Sequence, residues 1–338
     1  MTSANPAPVL DLIDAFRRSK AMFTAVSLGV FDLLHEGPAG AAALAEKTGT
    51  QTDALARLLD ACVGLGFLGK QNGIYTNTPA AEVYLRRQSP QTLAGYILYS
   101  DQVLFRLWAN LGDAIREGTH RWRQTFGLDA GSLFDHFFRS DEAMRTFLAG
   151  MHGFGLLSSP SVAAAFDLGR FRRMADLGGA TGHLVTAACE RYGDLRGVVF
   201  DLPRVIEVAR EHVSQSPARD RIELLSGDFF QGDLPDADLY ALGRILHDWS
   251  EEKIHRLLAR IYERLPAGGA LLVAERLLEE DKSGPTPAHL QSLNMLCCTE
   301  GKERTLSEYA ALLHHAGFAR VEGRRTGAPL DAVLAVKN

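Results

Sequence analysis

From Arg173 onward the chain alternates short aliphatic or β-branched runs with helical segments, and that alternation restricts it to few architectures. A run ends at Asp176, a helix follows Gly182, and a second run covers Gly197 to Asp201. A helix then follows Pro203, runs recur at Ile222 to Ser226 and Leu239 to Leu242, and another helix starts at Glu251. Strands alternating with helices specify a parallel, doubly wound α/β sheet, because each crossover helix must return the chain to the same edge. The Glu251 helix is the clearest. Ser250 is its expected N-cap, Ile254, Leu257, Leu258, Ile261 and Leu265 lie along one face, Trp249 is expected to staple onto Ile254, and Pro266-Ala267-Gly268-Gly269 ends it.

In such sheets ligands bind beyond the carboxyl ends of the strands, and here those ends carry polar groups. The first closes in the glycine turn Asp176-Leu177-Gly178-Gly179-Ala180-Thr181-Gly182, the second at Asp201, the third at Gly227-Asp228-Phe229, and the fourth in Arg244-Ile245-Leu246-His247-Asp248-Trp249. The glycine turn lets backbone approach a ligand but lacks the Gly-x-Gly-x-x-Gly spacing of pyrophosphate binders. Asp201 stands where a carboxylate grips ribose hydroxyls, or where it serves as a charge at a helix start. Asp228 suits an adenine amino group with Phe229 stacking, or an Asx turn. His247 is a candidate general base if Glu275 and Glu303 reach its ring and hold the far nitrogen as a donor. Asp248 is expected to cap backbone or to bind substrate.

The N-terminal third has a different grammar. Val9 to Leu34 reads as two short amphipathic helices, Ala41 to Lys47 and Thr52 to Leu65 as a helix-turn-helix, and Phe67 to Tyr75 as a hairpin about Asn72-Gly73. That is a winged-helix pattern, but its charge is wrong for DNA. Residues 1 to 100 hold eight Lys plus Arg against eight Asp plus Glu, and the second helix offers only Arg57 against Asp53 and Asp60. The apolar module is expected to pack against a twin subunit. Residues 90 to 160 read as helical and rich in aromatic rings, for core or for the wall of an aromatic pocket.

The net charge of −5 argues against nucleic acid or anionic membrane as a partner. After the polar start Met1 to Asn5 no signal-type apolar segment follows, and nothing is long enough to span a bilayer. Cys62, Cys189, Cys297 and Cys298 have no zinc or disulfide spacing, so reduced thiols and a cytoplasmic location are expected, with no metal.

The chain resembles the acetylserotonin O-methyltransferase family within the plant-type class I S-adenosylmethionine enzymes. The likeness runs from Leu28-Gly29-Val30-Phe31-Asp32-Leu33-Leu34 through Ala114-Ile115-Arg116-Glu117-Gly118 to Ser292-Leu293-Asn294-Met295-Leu296 and Thr299-Glu300-Gly301-Lys302-Glu303-Arg304-Thr305. It implies a Rossmann-like methyltransferase domain over 166–338, a helical linker and substrate region over 96–165, and a winged-helix-like dimerisation domain over 1–95. It also implies S-adenosylmethionine as cofactor, bound by Gly178, Asp201, Gly227, Asp228, Phe229 and Arg244. His247 would be the general base, oriented by Glu275 and Glu303. Asp248, Asn294 and Cys298 match substrate-contacting positions, and a homodimer would supply part of the substrate wall from its other subunit.

Three residues depart from the family pattern: Ala180 for the middle glycine, Phe138 for a tyrosine near the cofactor, and Cys298 for a glutamine whose amide bonds a thiol cannot replace. The resulting expectation is O-methylation of a small, aromatic or phenolic hydroxyl compound. The rival readings are a metal-dependent catechol-type enzyme and a cofactor-binding sensor or scaffold without catalysis.

Overall fold

In the computed structural model, which describes residues 4–128 and 133–338, the segment between Val9 and Leu34 folds as the two helices its pattern predicts, but the first is long rather than short. Ala7–Ser27 runs for 21 residues, and the break comes only at Gly29, whose φ of +73° lets Val30–Glu36 start in a new direction. Nothing between Phe16 and Met22 breaks a helix: Arg, Ser, Lys and Ala are all tolerated there. The first three residues of the polar start lie outside the described residues. Helices Ala41–Thr48 and Thr52–Gly64 follow, and then the hairpin β2 (Leu68–Gln71) and β3 (Ile74–Asn77), with β1 (Ala39–Gly40) on the other side of β3. Asn72 and Gly73 both take positive φ, 50° and 78°. A two-residue turn between right-twisted strands requires this.

The chain separates into two compact units, Met1–Val103 and Leu104–Asn338. The described residues of 104–165 therefore belong with the sheet-bearing unit, while residues 96–103 fall in the first. The core of the first unit gathers Val26, Phe31, Leu44, Leu55, Leu59 and Tyr75. In the second, short helices precede the 25-residue helix Asp141–Ala165, started by the Ser140 hydroxyl accepting from the Ala143 N–H.

The second unit is built on a seven-stranded sheet. Its strands are β4 (Arg173–Leu177), β5 (Arg196–Asp201), β6 (Ile222–Ser226), β7 (Leu239–Gly243), β8 (Ala270–Glu275), β11 (Arg320–Arg324) and β12 (Asp331–Val336). The order is β11-β12-β8-β7-β4-β5-β6, with β4 to β8 parallel and the β11–β12 edge antiparallel. Two-residue strands β9 (Leu277–Leu278) and β10 (Arg304–Thr305) pair separately, which draws the Glu303 loop toward the end of β8. β8 is buried along its whole length, as a central strand covered on both faces must be. The helix Glu251–Arg264 buries Ile254, Leu257, Leu258 and Ile261, as its spacing predicts. Ser250 holds the N-cap backbone position, but its hydroxyl caps nothing.

The chain leaves β4 outward through β5 and β6 and then returns to β7 on the opposite side of β4. The strand order thus reverses between β4 and β7, and the crevice at their carboxyl ends is the binding position this topology creates. All four cysteines are buried and free. No described helix is long and apolar enough to cross a membrane.

Candidate active site

A cavity of about 460 Å³ opens at the reversal point, walled by the glycine turn after β4, Asp201 after β5, Gly227 to Phe230 after β6 and Gly243 to Ile245 after β7. The helix Asp141–Ala165 closes the opposite side with Phe147, Met151 and Phe154. Gly178, at φ +71°, has no room for a side chain: a Cβ would meet Ile245 Cδ1 at 2.6 Å. Ala180 holds φ +49°, a left-handed conformation unfavourable for an alanine. Its N–H donates to Asp201 Oδ2 at 2.9 Å, and the Leu202 N–H donates to Oδ1 at 2.7 Å. Asp201 thus ties the turn to the next strand end and keeps lone pairs for a ligand.

The wall is rich in carboxyls held neutral more readily than in water. Burial raises Asp201 to about 6 against its two backbone donors. Burial and then the Asp201 charge raise Asp176 to about 7. Burial also raises Asp248 to about 6, opposed by His247 and Arg244. Asp228 adopts the Asx turn: Oδ1 accepts from the Phe230 N–H at 2.8 Å and Oδ2 from Gln231 Nε2 at 3.0 Å. Gly227 lines the cavity, yet its need for a bare Cα comes from Phe200, whose ring would lie 2.3 Å from an added Cβ. Arg244 also takes a left-handed backbone, φ +58°, stacks its guanidinium 4.7 Å over Phe154 and leaves Nη1 buried without a hydrogen bond.

His247 sits in a 3₁₀ turn, Leu246–Asp248, 2% exposed, behind the wall to which Ile245 and Asp248 contribute. Its Nδ1 is 2.7 Å from Glu303 Oε1 and 3.1 Å from Glu275 Oε2. Both glutamates are buried, at 2% and 1% exposure. Glu275 Oε1 also accepts from the backbone N–H groups of Ile245 and His247, at 3.0 and 3.3 Å, which fixes the turn itself. Burial pushes both carboxyls well up. Arg244, Arg276 and Arg304 oppose the rise of Glu303, while His247 opposes and Glu303 adds to that of Glu275. Glu303 is the hydrogen-bond partner of Nδ1, while Glu275 Oε2 lies close to it without a hydrogen bond of its own, and a neutral imidazole donating from Nδ1 keeps its lone pair on Nε2. Asp248 Oδ1, 3.7 Å from Nε2, does not block it.

Nδ1 and one oxygen from each glutamate lie within 4.8 Å of one another, a donor set that a divalent cation could also occupy. The sequence reading expected no metal here.

Asn294 and Cys298 lie four residues apart on the helix Thr286–Cys298 and are not on the cavity wall. Asn294 Oδ1 accepts from Trp108 Nε1 at 2.8 Å, and Cys298 Sγ lies 2.8 Å from the Asn294 carbonyl. Phe138 does line the cavity. Asp176, expected at the polar end of its strand, lies on the wall, and sequence reasoning missed His183 and Ser159 there. Trp249, read as a helix staple, packs its ring against Phe134 and Phe230 at the same wall.

The O-methyltransferase domain model matches residues 108–319, and the O-methyltransferase dimerisation domain model matches residues 10–87. This chain belongs to the O-methyltransferase family. Among its relatives is the acetylserotonin O-methyltransferase of Gallus gallus, 41% identical over 98% of this chain and 97% of that protein. A Homo sapiens protein described as a probable bifunctional dTTP/UTP pyrophosphatase/methyltransferase is 42% identical over 98% of this chain and 54% of its own length. The crystal structure of human N-acetylserotonin methyltransferase in complex with SAM superposes with a TM-score of 0.94 at 40% identity, covering 100% of this chain and 99% of that one. The mitomycin 7-O-methyltransferase structure superposes at 0.85 with 30% identity over 98% and 97% of the two chains.

Proposed function

We propose that this O-methyltransferase methylates a hydroxyl, phenolic or otherwise aromatic, of a small molecule, using S-adenosylmethionine and His247 as general base. Bound S-adenosylmethionine supplies a sulfonium methyl group as the electrophile. The residues fit such a ligand. Asp201 offers acceptors for ribose hydroxyls, Phe229 a ring face for adenine, and the unpartnered Arg244 Nη1 a donor for an anionic group. Asp228 reaches an adenine amino group only through lone pairs left over from its turn.

The observation that carries the reading is the 2.7 Å contact of His247 Nδ1 with Glu303, backed by Glu275 at 3.1 Å. It supports a tautomer in which Nδ1 donates to Glu303, leaving Nε2 to take the acceptor's hydroxyl proton. With Nε2 of His247 holding that proton, the acceptor oxygen would take the methyl group that bound S-adenosylmethionine would supply, the products being a methyl ether and S-adenosylhomocysteine. Holding both reactants in line provides much of the rate. The buried glutamates stabilise the imidazolium that forms. The test is His247→Ala: S-adenosylhomocysteine binding persists while turnover falls ~10²-fold or more, the scale of a lost general base. Unchanged turnover removes the assignment.

A second reading has one observation behind it, the His247-Glu275-Glu303 donor set. If a divalent cation held there activates the acceptor, dialysis against a chelator abolishes turnover and added magnesium restores it. Binding of S-adenosylhomocysteine with no turnover across a panel of phenols would instead favour a sensor or scaffold.

The protein acts as a homodimer through its first unit. Val9, Leu10, Leu12, Ile13 and Phe16 on the helix Ala7–Ser27 are each more than half exposed, a long apolar stripe that a second copy would cover. The dimerisation-domain match over residues 10–87 takes in the stripe from Leu10 onward. Part of the acceptor wall would then come from the other subunit.

A further inference from the structure

A histidine that the proposed mechanism does not use follows the glycine turn directly. His183 is the first residue of the helix His183–Arg191, and its ring lines the cavity. Two residues of the facing helix hold it there. A Cβ on Gly155 would come within 2.4 to 2.5 Å of three ring atoms, so the imidazole fills space that any other residue at 155 would claim. Ser159, one turn on and on the same face, is 3% exposed, and its Oγ lies 2.9 Å from His183 Nδ1.

The proton positions follow from the partners. The neighbouring Ser158 gives its hydroxyl hydrogen to the Phe154 carbonyl at 3.1 Å, whereas Ser159 has no hydrogen-bond partner except Nδ1 among the described residues. A buried hydroxyl donates where it can, so Ser159 donates to Nδ1 and the ring carries its own hydrogen on Nε2. Burial, Arg244 and His212 hold this imidazole down to about 4, so it is neutral at physiological pH. Nε2 makes no hydrogen bond among the described residues.

The remaining polar wall divides by charge. Asp176, Asp201, Asp228 and Asp248 suit hydroxyls and an ammonium group, and an anionic group needs donors. Lys253 is engaged by Glu300 at 2.6 Å and by the Trp249 ring, and Arg256 lies over Phe230. Arg244 Nη1 and Trp249 Nε1 are buried on this wall without a hydrogen bond, and of the donors there Arg244 and His183 follow neighbouring strands, β7 and β4, close enough for the Arg244 charge to act on the His183 ring.

We propose that His183 is a cofactor-positioning residue whose Nε2–H, together with the Arg244 guanidinium, takes the carboxylate of the amino-acid tail of the S-adenosyl ligand. The inference rests on reading the cavity as an S-adenosylmethionine site. Ser159 sets the tautomer, and Gly155 gives the ring its place. The site then selects ligands with an intact carboxylate tail over those without one.

The test is calorimetric titration of the full chain with S-adenosylmethionine and with decarboxylated S-adenosylmethionine, which keeps the sulfonium and the ammonium. His183→Leu fills the notch without a donor. It is expected to weaken S-adenosylmethionine roughly ten-fold or more, the scale of a hydrogen bond to a charged group, and to leave the decarboxylated ligand unchanged. Ser159→Ala leaves the ring in place and is expected to show a smaller loss with the same selectivity. Equal weakening of both ligands would make His183 a packing residue and overturn the proposal, as would an unchanged preference in both variants. Failure of the unmodified chain to bind either ligand would overturn the cofactor reading itself, a distinguishable result.

Discussion

Glu303→Gln isolates the electrostatic part of the proposed base. Glutamine keeps an oxygen that accepts the His247 Nδ1 hydrogen, now at 2.7 Å, so tautomer and ring orientation survive and only the carboxylate charge is lost. When Nε2 takes a proton, the new imidazolium charge faces that carboxylate across roughly 4 Å between charge centres, worth about 4 kcal/mol at an effective dielectric near 20. Glu275, 3.1 Å from the same nitrogen, carries part of the load. Burial already discourages two full negative charges on the pair, so removing one carboxyl makes the other easier to ionise. Halving the figure for that compensation leaves about 2 kcal/mol, or roughly a 30-fold fall in kcat. The assay is steady-state methylation of a phenol at saturating cofactor, alongside S-adenosylhomocysteine affinity, which should not move. The Glu275→Gln/Glu303→Gln double variant should lose more than the product of the single losses, because neither glutamate can then cover for the other. A kcat within three-fold of the parent in the double variant would refute the reasoning, as would a loss matched by cofactor affinity.

Because Asp201 must be ionised to accept from two ribose hydroxyls, S-adenosylhomocysteine affinity should decline as pH falls through about 6, and Asp201→Asn should bind weakly at every pH with that slope removed. For stability the sign is opposite. Asp176 is raised to about 7, so ionisation costs the folded state, increasingly from about pH 4 up to 7. Asp176→Asn should therefore raise Tm at pH 8 and change it little at pH 4, and an equal shift at both would contradict the burial argument. Ala180→Gly relieves a left-handed alanine and should raise unfolding free energy by up to about 1 kcal/mol in denaturant titration. Phe16→Asp places a charge on the exposed apolar stripe, and sedimentation should detect monomer. A dimer of unchanged affinity would move the interface elsewhere.

Much of this protein was legible before its coordinates. The strand-helix alternation, the strand ends at Asp176, Asp201 and Ser226, the Asn72-Gly73 hairpin and the apolar face of Glu251–Arg264 are local matters. Periodicity, turn chemistry and φ preference act over a few residues, and a sequence displays them directly. The long Ala7–Ser27 helix was harder, because its first apolar residues are exposed and form no single buried stripe with the later ones. The site itself is non-local. His247 meets Glu303 across 56 residues and Glu275 across 28, a meeting arranged by sheet order and by the small β9–β10 pair. His183 depends on a glycine and a serine from a different helix, and no spacing in the chain announces that packing. Chain pattern determined which elements form and which edge carries the polar ends. Tertiary structure alone decided which of those groups are buried together, and burial is what sets their protons.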